Sequence, residues 1–185
     1  MRKKIAYVPQ RSSVDWDFPI TVFELVLMGR FSRLGLFKTP RAADRQAAMR
    51  ALEMLGMQEF ADRQISQLSG GQQQRAFLAR ALLQEADIYL LDEPFAGIDM
   101  ASEKQIILLL NQLRAQGKTL FVVHHNLATL DQYFDWVIML NTCLIASGPV
   151  SEVFNPENVI RSYGKNVVLL DEVAKLSQNT SFGIS

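Results

Sequence analysis

The stretch Ile88-Tyr89-Leu90-Leu91-Asp92-Glu93-Pro94 is a continuous apolar run that ends in two carboxylates and a proline. An unbroken apolar run of this length is typical of a strand covered on both faces, as in a parallel sheet. Ligands of such sheets bind beyond the carboxyl ends of the strands, which is where Asp92 and Glu93 fall. The stretch therefore predicts a parallel sheet with carboxylates at its ligand-binding edge.

Apolar segments on either side of this strand extend the pattern. Strands and helices alternate after residue 88, and a helical stretch of about residues 20–66 is inserted between the strands of the sheet. This alternation predicts an α/β fold with a mostly parallel sheet. The predicted strands are 5–8, 88–91, 119–123, 136–140 and an edge strand at 142–146. The predicted helices are 21–29, 39–56, 73–83, 101–116, 126–134, 151–154 and 156–163, the first and third each preceded by a capping box.

Composition excludes several classes of protein. The 185 residues carry 19 Lys+Arg and 19 Asp+Glu, so the basic face that a nucleic-acid partner needs is not expected. The apolar runs fall far short of the roughly 20 residues that cross a bilayer. Only residues 5–8 form an apolar run before Pro9, too few for a signal peptide, so we expect a cytoplasmic location. Cys143 lies in an apolar run and is expected to be buried.

The pentapeptide Leu68-Ser69-Gly70-Gly71-Gln72 is the most specific short pattern in the chain. A serine hydroxyl and backbone amides without Cβ crowding meet there at a helix N-terminus, where the helix dipole favours an anion. We call residues 69–72 the Ser69 turn and expect it to be a phosphate-docking surface. The alternative is a plain N-cap with glycines for a tight turn.

Asp92 and Glu93 suggest two different chemical roles. An aspartate at the end of a buried strand can hold Mg²⁺, and the adjacent glutamate can orient or deprotonate an attacking water. The roles differ because successive strand residues point in opposite directions. Taken alone, the pair is more typical of solvated charges that close the strand.

Gln10 and His125 follow two other predicted strands. The Gln10 carbonyl could bind Mg²⁺ or the attacking water, although a lone glutamine in a loop is ordinarily solvated. His125 could donate a hydrogen bond to a phosphate or polarise water. His124 faces the other way, so the two histidines are poorly placed to chelate one metal ion. A capping or surface role for His125 stays open.

Together, these segments resemble the motifs of the ABC-type ATPases over about residues 4–164. Leu68-Ser69-Gly70-Gly71-Gln72 resembles their signature motif, and residues 88–93 resemble their Walker B strand. Asp99 is similar to the D-loop aspartate, and Gln10 to the Q-loop glutamine. His125 is similar to the switch histidine, although Asn126 follows it where the family commonly has aspartate.

The resemblance implies a P-loop NTPase core that uses ATP and Mg²⁺. In a head-to-tail dimer, Glu93 would activate water, Asp92 and Gln10 would hold Mg²⁺, and His125 would contact the γ-phosphate. The signature residues would bind nucleotide from across the dimer, and Asp99 would serve communication between subunits. The signature residues are Ser69, Gly70, Gly71 and Gln72.

Four further segments narrow the resemblance to the ATPase subunits of importers for manganese, zinc or iron, with the manganese and iron members most similar. In that family a helical insert, here about residues 11–66, receives the coupling helix of a membrane permease. An extracytoplasmic binding protein delivers the metal, and the ATPase lies on the inner face of the membrane. The segments are residues 13–22, 28–30, 92–99 and 124–127.

The family also uses a Gly-x-x-x-x-Gly-Lys-Ser/Thr loop around the phosphates, the Walker A loop, and the sequence contains none. The only Gly-Lys-Thr, at residues 117–119, runs from a predicted helix into a strand and is typical of a helix C-cap. We therefore expect the chain to be N-terminally truncated, to lack the first strands of the fold, and to bind ATP very weakly alone. The alternative to a transport ATPase is a non-catalytic remnant that contacts only a permease or an intact partner subunit. A soluble ABC ATPase of DNA repair or translation is disfavoured by the short insert and the balanced charge.

Four expectations about arrangement follow from the resemblance. Residues 1–166 form a partial ABC ATPase domain whose helical subdomain spans about residues 20–85, and residues 167–185 form a polar tail. Part of the sheet surface is left uncovered, which favours low solubility. The Ser69 turn lies apart from the Mg²⁺-binding edge, free to reach a neighbouring molecule. The groups expected along one rim of the core are Gln10, Asp92, Glu93 and His125.

Overall fold

The computed structural model describes residues 4–34 and 38–164. Over these residues the strands are β1 (Ile5–Val8), β2 (Ile88–Asp92), β3 (Thr119–Val123), β4 (Trp136–Asn141) and β5 (Cys143–Pro149). The helices are α1 (Val22–Leu27), α2 (Phe31–Leu34), α3 (Ala42–Met54), α4 (Gly70–Leu83), α5 (Met100–Ala115), α6 (Leu130–Tyr133), α7 (Val150–Val153) and α8 (Pro156–Tyr163). The predicted tail at 167–185 lies outside the described residues.

The chain divides between His124 and His125 into two compact units. The first holds β1 to β3 and α1 to α5, and the second holds β4, β5 and α6 to α8. The predicted single domain over residues 1–166 stays a prediction.

A parallel sheet with strand order β1-β2-β3 forms the centre of the first unit. Val8 pairs with Leu91, and Asp92 pairs with Val123, so the carboxyl ends of the three strands meet at one edge. The predicted α/β fold with a parallel sheet is confirmed. Alternate side chains of β1 and β2, such as Val8 and Leu91, are buried in the core.

The opposite face of this sheet is exposed. Five apolar or aromatic side chains that point away from the core keep between 37% and 59% of their surface accessible. This is the uncovered sheet surface that the sequence predicts. We call it the open sheet face, and it consists of Ile5, Tyr7, Leu90, Phe121 and Val123.

On the buried side of the sheet, α4 contacts β1 and α5 contacts β3, while α1 and α3 pack against α4 in the same apolar core. Gly29 lies where the chain beyond α1 crosses α4. A Cβ built on Gly29 would collide with the carbonyl oxygen of Arg80 and lie 3.1 Å from the Cβ of Leu83. The close approach of the two segments therefore depends on a residue without a side chain.

Two predicted helices in this region differ in their bounds. The first ends at Leu27 as an α-helix and continues as a 3₁₀ turn over Met28–Arg30. The second begins at Ala42 and not at residue 39, because the Asp44 carboxylate accepts the Arg41 N–H at 2.9 Å and closes the first turn there.

The second unit is built on the antiparallel hairpin of β4 and β5. Residues 136–140 were predicted as a strand of the alternating half, and the structure pairs this strand with β5, so the described parallel sheet has three strands. The predicted helix at 126–134 is a 3₁₀ turn over Leu127–Thr129 followed by α6.

The expectation that Cys143 is buried is wrong. Cys143 is exposed because it pairs with Asn141 beside the tight turn of the hairpin, where Thr142 has φ +55°. An apolar run in sequence does not distinguish the two faces of a hairpin strand. Within the described ranges, we find no helix long and apolar enough to cross a membrane.

Candidate functional site

The carboxyl edge of the sheet carries three of the predicted site residues. Asp92 is the last residue of β2 and pairs with Val123 of β3. Glu93 follows it directly, and Gln10 lies two residues beyond Val8, the β1 residue that pairs with Leu91. Gln10, Asp92 and Glu93 are all half-buried. The parallel register thus brings these residues to one edge.

Glu93 leaves the strand in a left-handed backbone conformation, with φ +48°. Its N–H donates to the Val123 carbonyl at 3.2 Å, and its carbonyl accepts the Ala96 N–H at 3.1 Å. The backbone therefore turns sharply directly after Asp92. Such a conformation costs a non-glycine residue about 1 kcal/mol, and such costs cluster at functional sites. Glu85 and Thr142 also have positive φ, so the conformation alone does not mark a site.

Gln10 and Asp92 make a suitable donor set for Mg²⁺. One amide oxygen and one carboxylate fit an ion that is usually held by one or two protein oxygens together with substrate phosphates and waters. Among the described residues there is no cluster of three or more His, Cys, Asp or Glu that could hold a metal ion by itself.

The Ser69 turn forms the capping box that its sequence predicts. The Gln72 N–H donates to Ser69 Oγ at 3.4 Å, and the Ser69 N–H donates to Gln72 Oε1 at 2.9 Å. Ser69 is exposed, while Gly70 and Gly71 supply first-turn amides of α4 that have no partner within the helix. The capping role and the phosphate-docking role are therefore compatible.

The Ser69 turn is not free of its own chain. A Cβ built on Gly70 would lie 2.9 Å from the nearest guanidinium nitrogen of Arg11, the residue after Gln10. A Cβ built on Gly71 would lie 3.3 Å from Cγ2 of Ile98, the residue before Asp99. The turn thus contacts both neighbouring loops of the first unit, while Ser69 remains exposed.

Asp99 is the N-cap of α5. Its Oδ1 accepts the N–H groups of Ala101 at 3.0 Å and Ser102 at 2.9 Å, and its Oδ2 accepts the Ser102 hydroxyl at 2.7 Å. These hydrogen bonds, from the Ser102 N–H first and then its hydroxyl, hold the pKa of Asp99 below its ordinary value. Asp99 is therefore ionised at neutral pH and fixes the start of α5.

The two histidines belong to different units. His124 ends the first unit, and its ring meets the Phe95 ring edge-on, with the centroids 5.5 Å apart. His125 begins the second unit, is exposed, and precedes Asn126, whose side chain accepts the Ala128 N–H at 3.0 Å. The expected approach of His125 to Asp92 and Glu93 stays a prediction.

Sequence reasoning missed two features of this region. The capping role of Asp99 was readable, because an aspartate directly before a helical pattern is a strong N-cap signal. The contact of Arg11 with α4 was not readable, because it joins residues 62 positions apart through side chains.

Comparisons with known proteins identify the family of this chain. The family model described as ABC transporter matches residues 1–96. A manganese transport system ATP-binding protein, MntB, of Bacillus subtilis is 55% identical over 171 residues, which cover 92% of this chain and 68% of that protein. A zinc transport system ATP-binding protein, TroB, of Treponema pallidum is 55% identical over 166 residues, which cover 90% of this chain and 62% of that protein.

A solved structure gives the same answer for the fold. It is described as an inward-facing, metal-chelate type ABC transporter, and it superposes with a TM-score of 0.77 at 29% identity, over 88% of this chain and 64% of that chain. The parallel sheet, the carboxylates at its edge and the Ser69 turn thus occur in a chain that is 55% identical to both relatives over the aligned residues. The chain belongs to the ABC transporter family.

Proposed function

We propose that this chain is the ATP-hydrolysing subunit of an importer for a transition-metal ion, which is manganese, iron or zinc. The observation that carries the proposal is the edge at which β2 ends in Asp92, with Glu93 directly after it, and Gln10 follows the neighbouring parallel strand β1. The names of the manganese and zinc relatives support the choice of cargo.

The chemistry at this edge divides between two carboxylates. Asp92 and Gln10 hold Mg²⁺, and Mg²⁺ bound there would neutralise charge on the phosphate oxygens of ATP. Glu93 accepts a proton from the attacking water and orients it. The turn at Glu93 supports different roles for the two carboxylates, since it breaks the strand geometry directly after Asp92.

The remaining predicted residues complete the site across two subunits. His125 contacts the γ-phosphate in its own subunit, and the Ser69 turn binds the nucleotide held by the partner subunit. Its exposed serine and first-turn amides are suited to an anion. Asp99, which fixes the start of α5 beside this turn, carries communication between the subunits.

The proposed partners follow from this arrangement. They are a second ABC ATPase subunit in a head-to-tail dimer, an integral-membrane permease that contacts the helical insert and, indirectly, an extracytoplasmic metal-binding protein. The chain then lies peripherally on the inner face of the cell membrane.

The test supplies the phosphate loop that the sequence does not contain. Phosphate release from ATP and Mg²⁺ is measured for the chain alone and for the chain joined to an upstream segment carrying a Gly-x-x-x-x-Gly-Lys-Ser/Thr loop. We expect hydrolysis only in the second sample, and Glu93→Gln in that sample should lower kcat by at least about 100-fold because it removes the general base. Glu59→Gln, at an exposed glutamate remote in sequence from the site, is the matched control and should leave kcat unchanged.

Two outcomes would contradict the proposal. Hydrolysis that survives Glu93→Gln would mean that Glu93 is not the base. A complete lack of hydrolysis in the joined chain would favour the non-catalytic alternative. If the joined chain does hydrolyse ATP, uptake of Mn²⁺, Fe²⁺ and Zn²⁺ by vesicles that contain the joined chain and its permease identifies the cargo.

A further inference from the structure

The loop after β1 is folded tightly around Gln10. Residues Arg11–Ser13 form a 3₁₀ turn that closes on the Gln10 carbonyl, which accepts the Ser13 N–H at 3.0 Å and the Ser13 hydroxyl at 2.7 Å. The Arg11 carbonyl accepts the indole N–H of Trp16 at 2.9 Å. The backbone of Gln10 is therefore part of a small structured loop that extends to Trp16.

This loop is attached to α4 at two points. Arg11 Nε donates to Gln73 Oε1 at 2.7 Å, and the Trp16 ring packs edge-on against the Phe77 ring with the centroids 5.3 Å apart. Gln73 and Phe77 are four residues apart and so lie on the same face of the helix. One attachment is polar and near the start of α4, and the other is apolar and one turn further along.

The polar attachment has a fixed acceptor. Gln73 is only 4% exposed, and its amide nitrogen donates to the Ile65 carbonyl at 3.3 Å. Because one end of the amide is engaged there, its oxygen is directed to Arg11. Arg11 thus meets an acceptor that is oriented before the contact forms.

The guanidinium lies beside Gly70, in the first turn of α4. A helix dipole disfavours a cation at this end, so the charge of Arg11 does not explain its position. The hydrogen bond to Gln73 and the space left by a residue without a Cβ do explain it.

We propose that Arg11 is a positioning residue that joins the loop of Gln10 to the first turn of α4, so that Gln10 and the Ser69 turn of the same chain move as one body. The role of this link in catalysis rests on the proposed function. In the proposed dimer, Gln10 contacts the nucleotide of its own subunit, and the Ser69 turn contacts the nucleotide held by the partner subunit. The link itself is a property of the first unit and is testable without ATP.

The test uses the indole N–H of Trp16 as a reporter of the attachment. Hydrogen exchange is followed by NMR on the full chain, in which Trp16 and Trp136 are the only two tryptophans. We expect Arg11→Ala and Gln73→Met each to speed Trp16 indole exchange by about tenfold, the effect of losing one hydrogen bond to a charged group. The double variant should be no faster than either single variant, because both remove the same bond.

Two controls separate the link from a general loss of stability. The backbone amide of Leu91 in β2 and the Trp136 indole, which donates to Ser147 Oγ at 3.1 Å, should exchange at unchanged rates. Arg50→Ala removes an exposed arginine of α3 and should leave Trp16 unchanged. If Gln73→Met does not fold, Arg11→Ala alone still tests the link. It should raise the exchange rates of both the Trp16 indole N–H and the Gln73 backbone amide, which donates to the Ser69 carbonyl at 2.9 Å.

The proposal is overturned if Arg11→Ala leaves the exchange rate of the Trp16 indole unchanged or if the effects of the two substitutions add in the double variant. It is also overturned if the exchange rate of the Leu91 amide rises equally. A failure of ATP hydrolysis in the joined chain would leave these exchange rates as they are. The two proposals therefore fail by different measurements.

Discussion

At the scale of single residues, the site combines chemistry with demanding local geometry. Glu93 adopts a positive φ, and Asp99 uses both carboxylate oxygens to cap α5. Each residue therefore combines a structural role with the chemical role that the family resemblance implies. A substitution at either position can change the local structure and the chemistry together, so the replacement residue must be chosen to change only one of them.

The cap at Asp99 predicts a dependence of stability on acid. The pKa of Asp99 is lowered in the folded chain, so its contribution is present above the ordinary aspartate pKa of about 3.9 and is lost as the pH falls through the lower folded value. Asp99→Asn keeps an acceptor for the α5 amides but does not titrate. We therefore expect the melting temperature of the wild-type chain to fall more than that of Asp99→Asn between pH 5 and pH 3.

Glu24 provides the comparison for this measurement. Hydrogen bonds from the N–H and the hydroxyl of Thr21 also lower the pKa of Glu24. The melting temperature of Glu24→Gln should therefore also fall less than that of the wild-type chain between pH 5 and pH 3. Equal acid sensitivity of the wild-type chain and Asp99→Asn would show that the cap does not depend on the carboxylate charge.

At the scale of secondary-structure elements, α4 is the centre of the first unit. It contacts α1, α3 and β1, carries the Ser69 turn at its start, and leads through Glu85 to β2. Arg30 and Arg33 both reach the Glu85 carboxylate at 2.7 Å. Burial raises the pKa of Glu85, but these arginines, Arg30 most of all, outweigh that effect and leave the pKa lowered.

The crossing at Gly29 predicts a sharp cost for one added methyl group. Gly29→Ala would force the chain after α1 away from the Arg80 carbonyl, and we expect the free energy of unfolding to fall by about 1–3 kcal/mol. Chemical denaturation followed by circular dichroism measures this change.

Gly70→Ala is the matched control for Gly29→Ala. Its added methyl group meets only the guanidinium of Arg11, which can move, so the free energy of unfolding should fall by less than in Gly29→Ala. Equal stability of the two variants would contradict the close contact between Gly29 and the Arg80 carbonyl.

At the scale of the whole molecule, the open sheet face is the most conspicuous surface of the first unit. Its five apolar or aromatic side chains lie on three adjacent strands of one sheet. Contiguous exposed apolar surface of this kind promotes association. The chain is therefore expected to self-associate when purified.

Charged substitutions on this face should reverse the association. Tyr7→Lys and Phe121→Lys place charges on the two edge strands of the sheet, and sedimentation velocity should show a larger monomer fraction at equal protein concentration. Met54→Lys, at a methionine of α3 that is 57% exposed, is the control and should have little effect. A wild-type chain that stays monomeric at high concentration would contradict this prediction.

Most of the strands and the capping boxes were predictable from sequence because they depend on local patterns. β1 and β3 begin and end where their apolar runs predict, and the Ser69 turn forms the hydrogen bonds of its motif. Side-chain contacts between distant segments, such as Arg11 with Gln73, leave no local pattern. The exposure of Cys143 was missed because hydropathy does not show which face of a hairpin is covered. The position of His125 relative to Asp92 stays a prediction.

The left-handed turn at Glu93 has a practical consequence for how inactive variants are interpreted. At the positive φ of Glu93, glutamine has about the same conformational cost as glutamate, glycine and asparagine have a lower cost, and a β-branched residue such as valine has a higher one. A panel of replacements at this position therefore separates the loss of the proton acceptor from the loss of the bend. A Glu93→Gly variant that stays folded but is inactive implicates the carboxylate alone, while Glu93→Val changes two variables at once.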